Sequence, residues 1–509
     1  MARNRDEGMH TDSLADRQAQ ELEDNWLKGG DGLFRDNIVR FVTKHRQGKM
    51  AKIREPFSGS YNTSWRLDYE DGGSVCFCVP KPGAVSFPDE KTSAEVATMR
   101  YIAEHTSIPV PRVYHWGTAA ENPTGLGAFI IMDYIKHHQT MNNVLAKELQ
   151  FEPWNAEQDA KERPGVVMEY VPDEVILYAY KETAKICLQL SSLKMPKLGS
   201  LANKGDSYEL ASRPLTQDMN DLPLSCGYPH ELLPPVATTY SSSHEWYSYL
   251  ADRHINHLVF QYNNAVLSED DCRDKFAARC LFRQLIRKRR YPQAVPTSSA
   301  DESDVETFHF YCDDFRPASV LIDENMKVVG VIDWEWSYFA PSSYASDPPW
   351  WLICTEPDFD VIGFDSWCER YKVHLDVWLN VLKDEETKFN QTNLSSQLAG
   401  MSIRDGSEDK PLSVRMRENW DSGAFWVNFA ARKPYSFEPM YWKQIDERFY
   451  GPNPRGGYKD RLALLSERAR KRIDWLVAQK MKEDKEKKLV DWTGDKARAY
   501  ACAVLASFQ

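Results

Sequence analysis

Hydrophobic and polar positions divide the chain into an early part with short β-type runs and a later part with helical spacing. Before residue 135, apolar runs a few residues long are separated by polar turns such as Asp71-Gly72-Gly73. Two short runs joined by an Asp-Gly-type turn are typical of a β-hairpin. We therefore predict a small antiparallel sheet with one inserted helix. The predicted elements are a helix over 33–49, strands over 53–57, 63–69 and 74–79, a helix over 90–105, and strands over 114–117 and 128–132.

After residue 135 the apolar spacing is mainly helical. This change predicts an α+β fold with a small, sheet-bearing lobe followed by a large, mainly helical lobe. The predicted helices of the large lobe cover 174–193, 243–267, 269–290, 364–388, 414–431 and 460–487. We divide the chain into a polar, flexible leader over 1–32, a small lobe over 33–134, a large lobe over 135–480 and a C-terminal tail over 481–509.

One predicted hairpin of the large lobe carries an aspartate at each end. Asp314 precedes an apolar run over 320–322, and Asp333 follows a second apolar run over 328–332. Pairing of these two strands brings the loop before the first strand close to the loop after the second, so the two carboxylates converge. A nucleotide-dependent kinase needs two such carboxylates, one that orients the substrate hydroxyl and one that holds Mg²⁺.

Charge and cysteine content narrow the expected partners. The 509 residues include 63 Lys and Arg against 75 Asp and Glu, which gives a net charge of −12. We expect neither nucleic acid nor a membrane as a partner, because such binders normally carry a basic stripe and no apolar run approaches the roughly 18 residues that cross a bilayer. Acidic residues near the start argue against a targeting peptide. The 10 cysteines lack zinc-site spacing and fit a reduced, cytoplasmic protein.

Two segments of the large lobe carry a family resemblance. They are Cys312-Asp313-Asp314-Phe315-Arg316-Pro317-Ala318-Ser319 and Val331-Ile332-Asp333-Trp334-Glu335. Support comes from Glu90-Lys91 with Glu95, from Ile108-Pro109-Val110-Pro111, and from Phe425-Trp426 with Tyr441-Trp442. Together they resemble the aminoglycoside phosphotransferase family, and most closely a divergent subgroup common in filamentous fungi. The resemblance covers residues 33–480 and implies a bilobal, protein kinase-like fold. It also implies ATP and Mg²⁺ as cofactors and a small-molecule hydroxyl as phosphate acceptor.

The resemblance gives expected roles to individual residues of this chain. Asp314 matches the catalytic aspartate of the family, Asp333 matches its metal-binding aspartate, and Ser319 falls where the family has a metal-binding asparagine. The residues expected to contact the nucleotide are Gly59, Ser60 and Asn62 on the phosphate loop, Met132 and Tyr134 on the hinge, and Glu95 on the helix of the small lobe. An ordinary hairpin turn remains an alternative interpretation of Ser58-Gly59-Ser60.

Several positions depart from the family pattern. Cys78 stands where the third strand normally carries a lysine or arginine, so Glu95 is expected to lack its usual partner. Lys81 and Lys91 are the residues that could reach this place instead. Ser319 offers a shorter, neutral oxygen than an asparagine does.

Three further charged residues surround the aspartates. Arg316 is expected to face the transferred phosphoryl group, where a guanidinium can bind phosphate oxygens bidentately. Asp313 is compatible with a third carboxylate for Mg²⁺ and with a turn cap. Glu335 is compatible with a metal-side role and with a structural hydrogen bond.

These features predict an ATP- and Mg²⁺-dependent small-molecule kinase that works slowly because its phosphate site is degenerate. The alternative is a pseudokinase, a nucleotide- or ligand-binding scaffold without turnover. Cys78, Ser319 and Cys312 favour that alternative, because they replace residues that the family normally uses.

Overall fold

The computed structural model describes residues 11–26, 31–149, 173–292, 306–357, 363–398 and 410–508. These residues form a small lobe built on one antiparallel sheet and a larger lobe built mainly from helices. The α+β class predicted from the sequence is confirmed, with the sheet-bearing small lobe followed by the mainly helical large lobe. Within the described ranges no helix is both long enough and apolar enough to cross a membrane.

The sheet of the small lobe has the strand order β1-β3-β4-β6-β5, and all of its pairs are antiparallel. A short strand, β2, pairs with β3 at the edge nearest the large lobe's hairpin. The elements are α1 Ser13–Trp26, α2 Asp31–His45, β1 Met50–Ile53, β2 Phe57–Ser58, β3 Asn62–Tyr69, β4 Ser74–Pro80, α3 Pro88–His105, β5 Val113–Gly117 and β6 Phe129–Asp133.

The two faces of this sheet have different surroundings. On the outer face, Val75, Phe77 and Val79 of β4 pack with Phe41 of α2 in one apolar cluster. Alternate residues of a strand point to opposite faces, so Cys76 and Cys78 face inward, toward the cleft between the lobes. Helix α3 lies between the sheet and the large lobe and contributes Met99 and other apolar residues to the large core.

The large lobe surrounds the main core and contains three small sheets, with strand orders β10-β9, β14-β11-β8 and β13-β12-β7. Its strands are β7 Gln139–Thr140, β8 Lys194–Met195, β9 Ser200–Lys204, β10 Ser207–Ser212, β11 Phe308–Cys312, β12 Val320–Ile322, β13 Val328–Val331 and β14 Ser337–Ala340. Its helices are α4 Met141–Glu148, α5 Glu174–Ser191, α6 Gln217–Cys226, α7 Ser243–Phe260, α8 Glu269–Arg287, α9 Ser342–Ala345, α10 Phe364–Leu398, α11 Leu412–Ser422, α12 Ala424–Arg432, α13 Phe437–Met440, α14 Asp446–Tyr450, α15 Glu467–Glu486 and α16 Gly494–Ser507.

Local chemistry sets several helix ends. The hydroxyls of Ser242, Ser268 and Ser466 accept backbone N–H groups at the starts of α7, α8 and α15, which satisfies donors that a helix start leaves free. The single helix predicted over 414–431 is wrong, because Gly423 adopts a φ of 81° and separates α11 from α12. A positive φ suits glycine and ends a helix.

The structure also corrects the predicted flexible leader over residues 11–26. Asp12 caps α1 by accepting the Leu14 amide at 2.9 Å, and it accepts the side-chain amide of Asn263 in the large lobe at 2.8 Å. At the other end of α1, Glu23 pairs with Lys81 of the small lobe at 2.7 Å. Polar residues that suggested a mobile segment therefore have specific partners in both lobes.

The predicted C-terminal tail over 481–509 is likewise part of the folded lobe. Helix α15 continues through the predicted boundary to Glu486, and α16 follows it. Ala497, Ala501 and Val504 of α16 are buried in the main core.

Candidate active site

A cleft of about 500 Å³ lies between the sheet of the small lobe and the β12–β13 hairpin of the large lobe. This volume falls within the range of about 300–1,000 Å³ that is common for small-molecule sites. Nine of the residues expected to form the site line it: Gly59, Ser60, Asn62, Glu95, Met132, Tyr134, Asp314, Arg316 and Asp333.

Asp314 and Asp333 both face this cleft, as the hairpin geometry predicts. Strand pairing joins Val320 to Val331, and the amide of Ile332 donates to the carbonyl of Ser319 at 2.9 Å. These contacts hold the loop that carries Asp314 beside the residue that precedes Asp333. Asp333 has a φ of 61°, an uncommon conformation for a residue other than glycine and one that is found at functional sites.

Their position between the lobes raises the pKa of both aspartates. Burial raises the pKa of Asp314 to about 6, although the Arg316 guanidinium, whose Nε lies 3.2 Å from Oδ1, works in the opposite direction. Burial, together with the nearby carboxylates of Glu335, Glu95 and Asp314, raises the pKa of Asp333 to about 7. The Asp333 side chain is exposed to the cleft, so solvent there screens part of this repulsion.

Crowded carboxylates of this kind suit a divalent cation that binds oxygen. Among the described residues, no group of three His, Cys, Asp or Glu side chains is arranged to hold a metal by itself. Mg²⁺ does not need such a cage, since it commonly uses one or two carboxylates together with waters and substrate phosphates. The oxygen donors of Asp333 and Glu335 at the cleft wall therefore fit this ion.

Ser319 does not line the cleft, in contrast to the other predicted site residues. Its side chain is 1% exposed, and its hydroxyl has no hydrogen-bond partner among the described residues. The carbonyl of Ser319 accepts the amide of Ile332 at 2.9 Å, which ties the backbone of Ser319 to the residue before Asp333. The unpaired hydroxyl itself is enclosed by protein and does not reach the cleft.

Of the two interpretations of Asp313, a Mg²⁺ ligand and a structural cap, its contacts favour the structural one. Its carboxylate accepts the Gln217 amide at 3.1 Å, at the start of α6, and the Tyr338 hydroxyl at 3.2 Å. Arg432 lies 3.8 Å from the same carboxylate. Asp313 thus joins elements below the cleft.

Glu95 lacks its usual cation on β4, where Cys78 stands, and Lys91, one of the two lysines considered, takes that place. Lys91 lies one turn before Glu95 on α3, and its Nζ is 3.0 Å from Oε2 of Glu95. The same ammonium forms an ion pair with Glu335 and lies 3.1 Å from Oδ1 of Asn62. Burial opposes the charged form, but Glu335 and Glu95 outweigh it and raise the pKa of Lys91 above its ordinary value. Lys81 instead pairs with Glu23 on α1.

Glu335 joins the two lobes across the cleft. Its Oε2 accepts the side-chain amide of Asn62 at 2.8 Å, in addition to the ion pair with Lys91. The structural hydrogen bond is therefore present, and the carboxylate still lines the cleft two residues after Asp333.

The predicted phosphate loop is both a hairpin turn and part of the cleft wall. The Gly59 amide donates to the carbonyl of Asn62 at 2.9 Å, which closes the turn between β2 and β3. Gly59 and Ser60 line the cleft from this turn. The two interpretations of Ser58-Gly59-Ser60 are therefore compatible with each other.

The hinge lies at the aromatic end of the cleft. Met132 and Tyr134 line it, but the Tyr134 amide already donates to the carbonyl of Ser74 at 3.0 Å. The Tyr134 amide is therefore already used within the small lobe. Phe57, which is 48% exposed, lies at the same end with its ring centroid 6.4 Å from that of Tyr134.

Sequence reasoning named Lys91 only as a residue that could reach the phosphate site, and it assigned no site role to Phe57 or Tyr61. The four-residue spacing of Lys91 and Glu95 on one helix was a usable signal, since such residues are neighbours on a helix surface. Phe57 is an apolar residue directly before a polar turn, which is a weaker signal. Tyr61 lines the cleft and accepts the Gln217 side-chain amide at 2.7 Å, a contact that depends on the packing of the two lobes.

No protein-family model matches the chain. A stretch of 88 residues is 33% identical to the subtelomeric hrmA-associated cluster proteins of two Aspergillus fumigatus strains, and it covers 17% of this chain and 16% of each relative. Because the match spans so little of those relatives, it leaves the activity of this chain to be proposed.

The solved structures to which this chain is similar are aminoglycoside and macrolide phosphotransferases and other small-molecule kinases. A Ralstonia eutropha protein assigned as an aminoglycoside phosphotransferase is 12% identical, with 89% of this chain and 98% of that chain covered and a TM-score of 0.37. Plasmodium vivax ethanolamine kinase is 8% identical, with coverages of 93% and 92% and a TM-score of 0.34.

Proposed function

We propose that this chain is an ATP- and Mg²⁺-dependent phosphotransferase that acts on a hydroxyl group of a polar small molecule. The observation that carries this proposal is the pair of enclosed aspartates, Asp314 and Asp333, which face one interlobe cleft from the two ends of a single hairpin. Phosphoryl transfer depends mainly on positioning and charge stabilisation, and this arrangement can supply both.

Asp314 is the proposed group that orients the acceptor hydroxyl and receives its proton. A pKa raised to about 6 leaves most of the carboxylate ionised near neutral pH while keeping it a useful base. Arg316, at 3.2 Å from Asp314, carries a permanent charge that can bind oxygens of the transferred phosphoryl group.

Asp333 is the proposed protein ligand of Mg²⁺, with Glu335 beside it. When bound, this ion would neutralise charge on the nucleotide phosphates and help to align them. The Gly59–Ser60 turn would cover the phosphates. Phe57, Met132 and Tyr134 would surround the base at the aromatic end of the cleft.

A nucleotide-binding scaffold without turnover is the second candidate. Two observations favour it: the Lys91 ammonium is already engaged by Glu95, Glu335 and Asn62, and the Ser319 hydroxyl lies outside the cleft lining. Both candidates require nucleotide binding, so turnover separates them.

A thermal-shift titration with ATP, with and without Mg²⁺, tests whether the cleft binds the nucleotide. Ligand at about 100 times its Kd stabilises a protein by about 2.7 kcal/mol, so we expect a clear, Mg²⁺-dependent rise in Tm that Asp333→Ala abolishes. No shift at millimolar ATP would contradict the proposal. The control is Glu324→Gln in the exposed turn of the same hairpin, which should behave like the wild type.

Turnover is then measured as ADP release with a panel of amino sugars and amino alcohols. Activity that disappears in Asp314→Asn, while ATP binding persists, supports the phosphotransferase. If ATP binds but a broad acceptor panel elicits no transfer above that of Asp314→Asn, the scaffold is the better account.

A further inference from the structure

We propose that Lys91, on helix α3, supplies the positive charge for the nucleotide phosphates that β4 lacks, and that phosphate takes over the position that Glu335 now holds at its ammonium. This inference rests on the proposed function.

Strand β4 cannot supply the charge itself. The residues that it turns toward the cleft are Cys76 and Cys78. Burial raises the pKa of the Cys76 thiol to about 11 and raises that of the Cys78 thiol well above its ordinary value. Both thiols are therefore neutral near pH 7 and offer neither a cation nor a strong hydrogen-bond donor.

Lys91 reaches the same part of the cleft from the helix. The partners of its ammonium, Glu95, Asn62 and Glu335, all line the cleft together with Cys78. The Lys91 side chain itself is 1% exposed. Its charge thus lies one side chain behind the cleft wall, at the level of the position that lacks a strand cation.

The number of hydrogen-bond donors on the Lys91 ammonium limits how many acceptors it can bind. A lysine has three N–H donors, and here three acceptors surround them, Glu95 at 3.0 Å, Asn62 at 3.1 Å and Glu335 in an ion pair. A phosphate oxygen that contacts Lys91 must therefore replace one of these acceptors.

Glu335 is the acceptor that phosphate would replace. Glu95 belongs to the same helix as Lys91 and moves with it, and Asn62 is a neutral acceptor on the adjoining strand. Glu335 comes from the opposite lobe and is an anion, as phosphate is. Two carboxylates around one buried ammonium also leave an excess negative charge, which is costly in an enclosed site. Once displaced, Glu335 would be a second carboxylate near Asp333.

Calorimetric titration of ATP in the presence of Mg²⁺ tests the role of Lys91. Loss of one charge-assisted hydrogen bond corresponds to about 10- to 100-fold weaker binding, which is the expected result for Lys91→Met. The matched control is Lys81→Met, which removes another shielded lysine that pairs outside the cleft with Glu23. It should bind ATP within about twofold of the wild type, since its ammonium pairs with Glu23 on α1 and not with a residue of the cleft.

A rescue variant separates the role in binding from a role in folding. Cys78→Lys combined with Lys91→Met returns the cation to the strand, and we expect it to recover most of the lost affinity. Wild-type affinity in a folded Lys91→Met variant would overturn the inference. So would failure of the folded double variant to bind more tightly than Lys91→Met.

Glu335→Gln gives an answer even if Lys91→Met fails to fold. It keeps Lys91 and removes the competing anion, so affinity for ATP without Mg²⁺ should rise about 10-fold, the effect of one lost charge-assisted contact. An unchanged or weaker affinity would contradict the exchange. If the wild type does not bind ATP at all, the proposed function fails. If the wild type binds and these variants bind equally well, only the inference about Lys91 and Glu335 fails.

Discussion

The two lobes place charged side chains in the cleft in different ways. In the large lobe, Asp314 and Asp333 lie where a single hairpin must bring them, and local strand pairing explains their meeting. In the small lobe, the expected cation is missing from β4, and a lysine from α3 lies beside Glu95 instead.

A charge can therefore reach the same part of the cleft from a different secondary-structure element, here from α3 and not from β4. The pair formed by Lys91 and Glu95 depends on helical spacing, but its access to the cleft depends on how α3 docks against the sheet. Glu335 then connects this wall to the other. Variants that change the residues of one wall and leave the other wall intact test whether the two walls have separate roles.

The largest expected effect belongs to the wall of the large lobe. Asp314→Asn keeps the size of the side chain but removes its ability to accept a proton, and general-base groups contribute about 10²- to 10⁴-fold to a rate. We expect transfer to an acceptor to fall by this factor while ATP affinity changes little. A rate loss of less than about 10-fold, on the same scale, would remove Asp314 from the reaction.

The pH dependence of stability tests the environment of the same residue. The folded-state pKa of Asp314, raised to about 6, lies above the ordinary value of about 3.9. The folded chain therefore holds the extra proton between these values, and its contribution to the free energy of unfolding falls as the pH rises from about 4 to 6. After allowance for solvent in the cleft, the effect is on the order of 1 to 2 kcal/mol.

Melting curves from pH 4 to 7 check this expectation. Asp314→Asn should show a shallower decline than the wild type, because Asp333, whose pKa is also raised, still contributes, and it should be more stable than the wild type near neutral pH. Glu324→Gln, in the exposed turn of the hairpin, is the control and should keep the wild-type slope. Equal slopes for all three proteins would contradict the enclosed environment of Asp314.

A smaller effect is expected where the walls meet. Asn62→Ala removes one hydrogen bond to Glu335 and one from Lys91. Because bonds to charged groups are stronger than neutral ones, chemical denaturation should show a loss of about 1 to 3 kcal/mol. Ser60→Ala, in the same turn, is the matched control. A loss no greater than that of Ser60→Ala would mean that this bridge does not hold the lobes.

The smallest expected effect concerns helix α1, which touches both lobes. Glu23→Gln removes the ion pair with Lys81, and a partly exposed pair of this kind contributes about 0.2 to 1 kcal/mol. Glu21→Gln, on an exposed part of the same helix, should change the free energy of unfolding by less. A double-mutant cycle with Lys81→Met measures the pair directly, and a coupling energy of zero would show that it does not anchor α1.

Features encoded within a short stretch could be predicted from the sequence. The aspartate hairpin is one, because its strands, its turn and both carboxylates lie within residues 314–333. The sheet, most helices and the order of the two lobes could be predicted from apolar periodicity for the same reason. The break at Gly423 was missed because a glycine inside a helical pattern is also tolerated there at a modest cost.

Features that depend on distant contacts could not be predicted. Asp12 finds Asn263 251 residues away, so the polar leader gave no sign of its docking. The amide of Tyr134 donates to Ser74 on another strand, which a hinge motif does not reveal. The partners of Lys91 come from three elements, and only the packing of the lobes brings them together.

A crystal structure with Mn²⁺ and a nonhydrolysable ATP analogue tests the central claim most directly, because anomalous scattering locates the ion independently of the protein. The account predicts an anomalous peak bonded to an Asp333 oxygen and to nucleotide phosphates, with the terminal phosphate facing Asp314 and Arg316. An analogue bound elsewhere, or an ion without contact to Asp333, would contradict it.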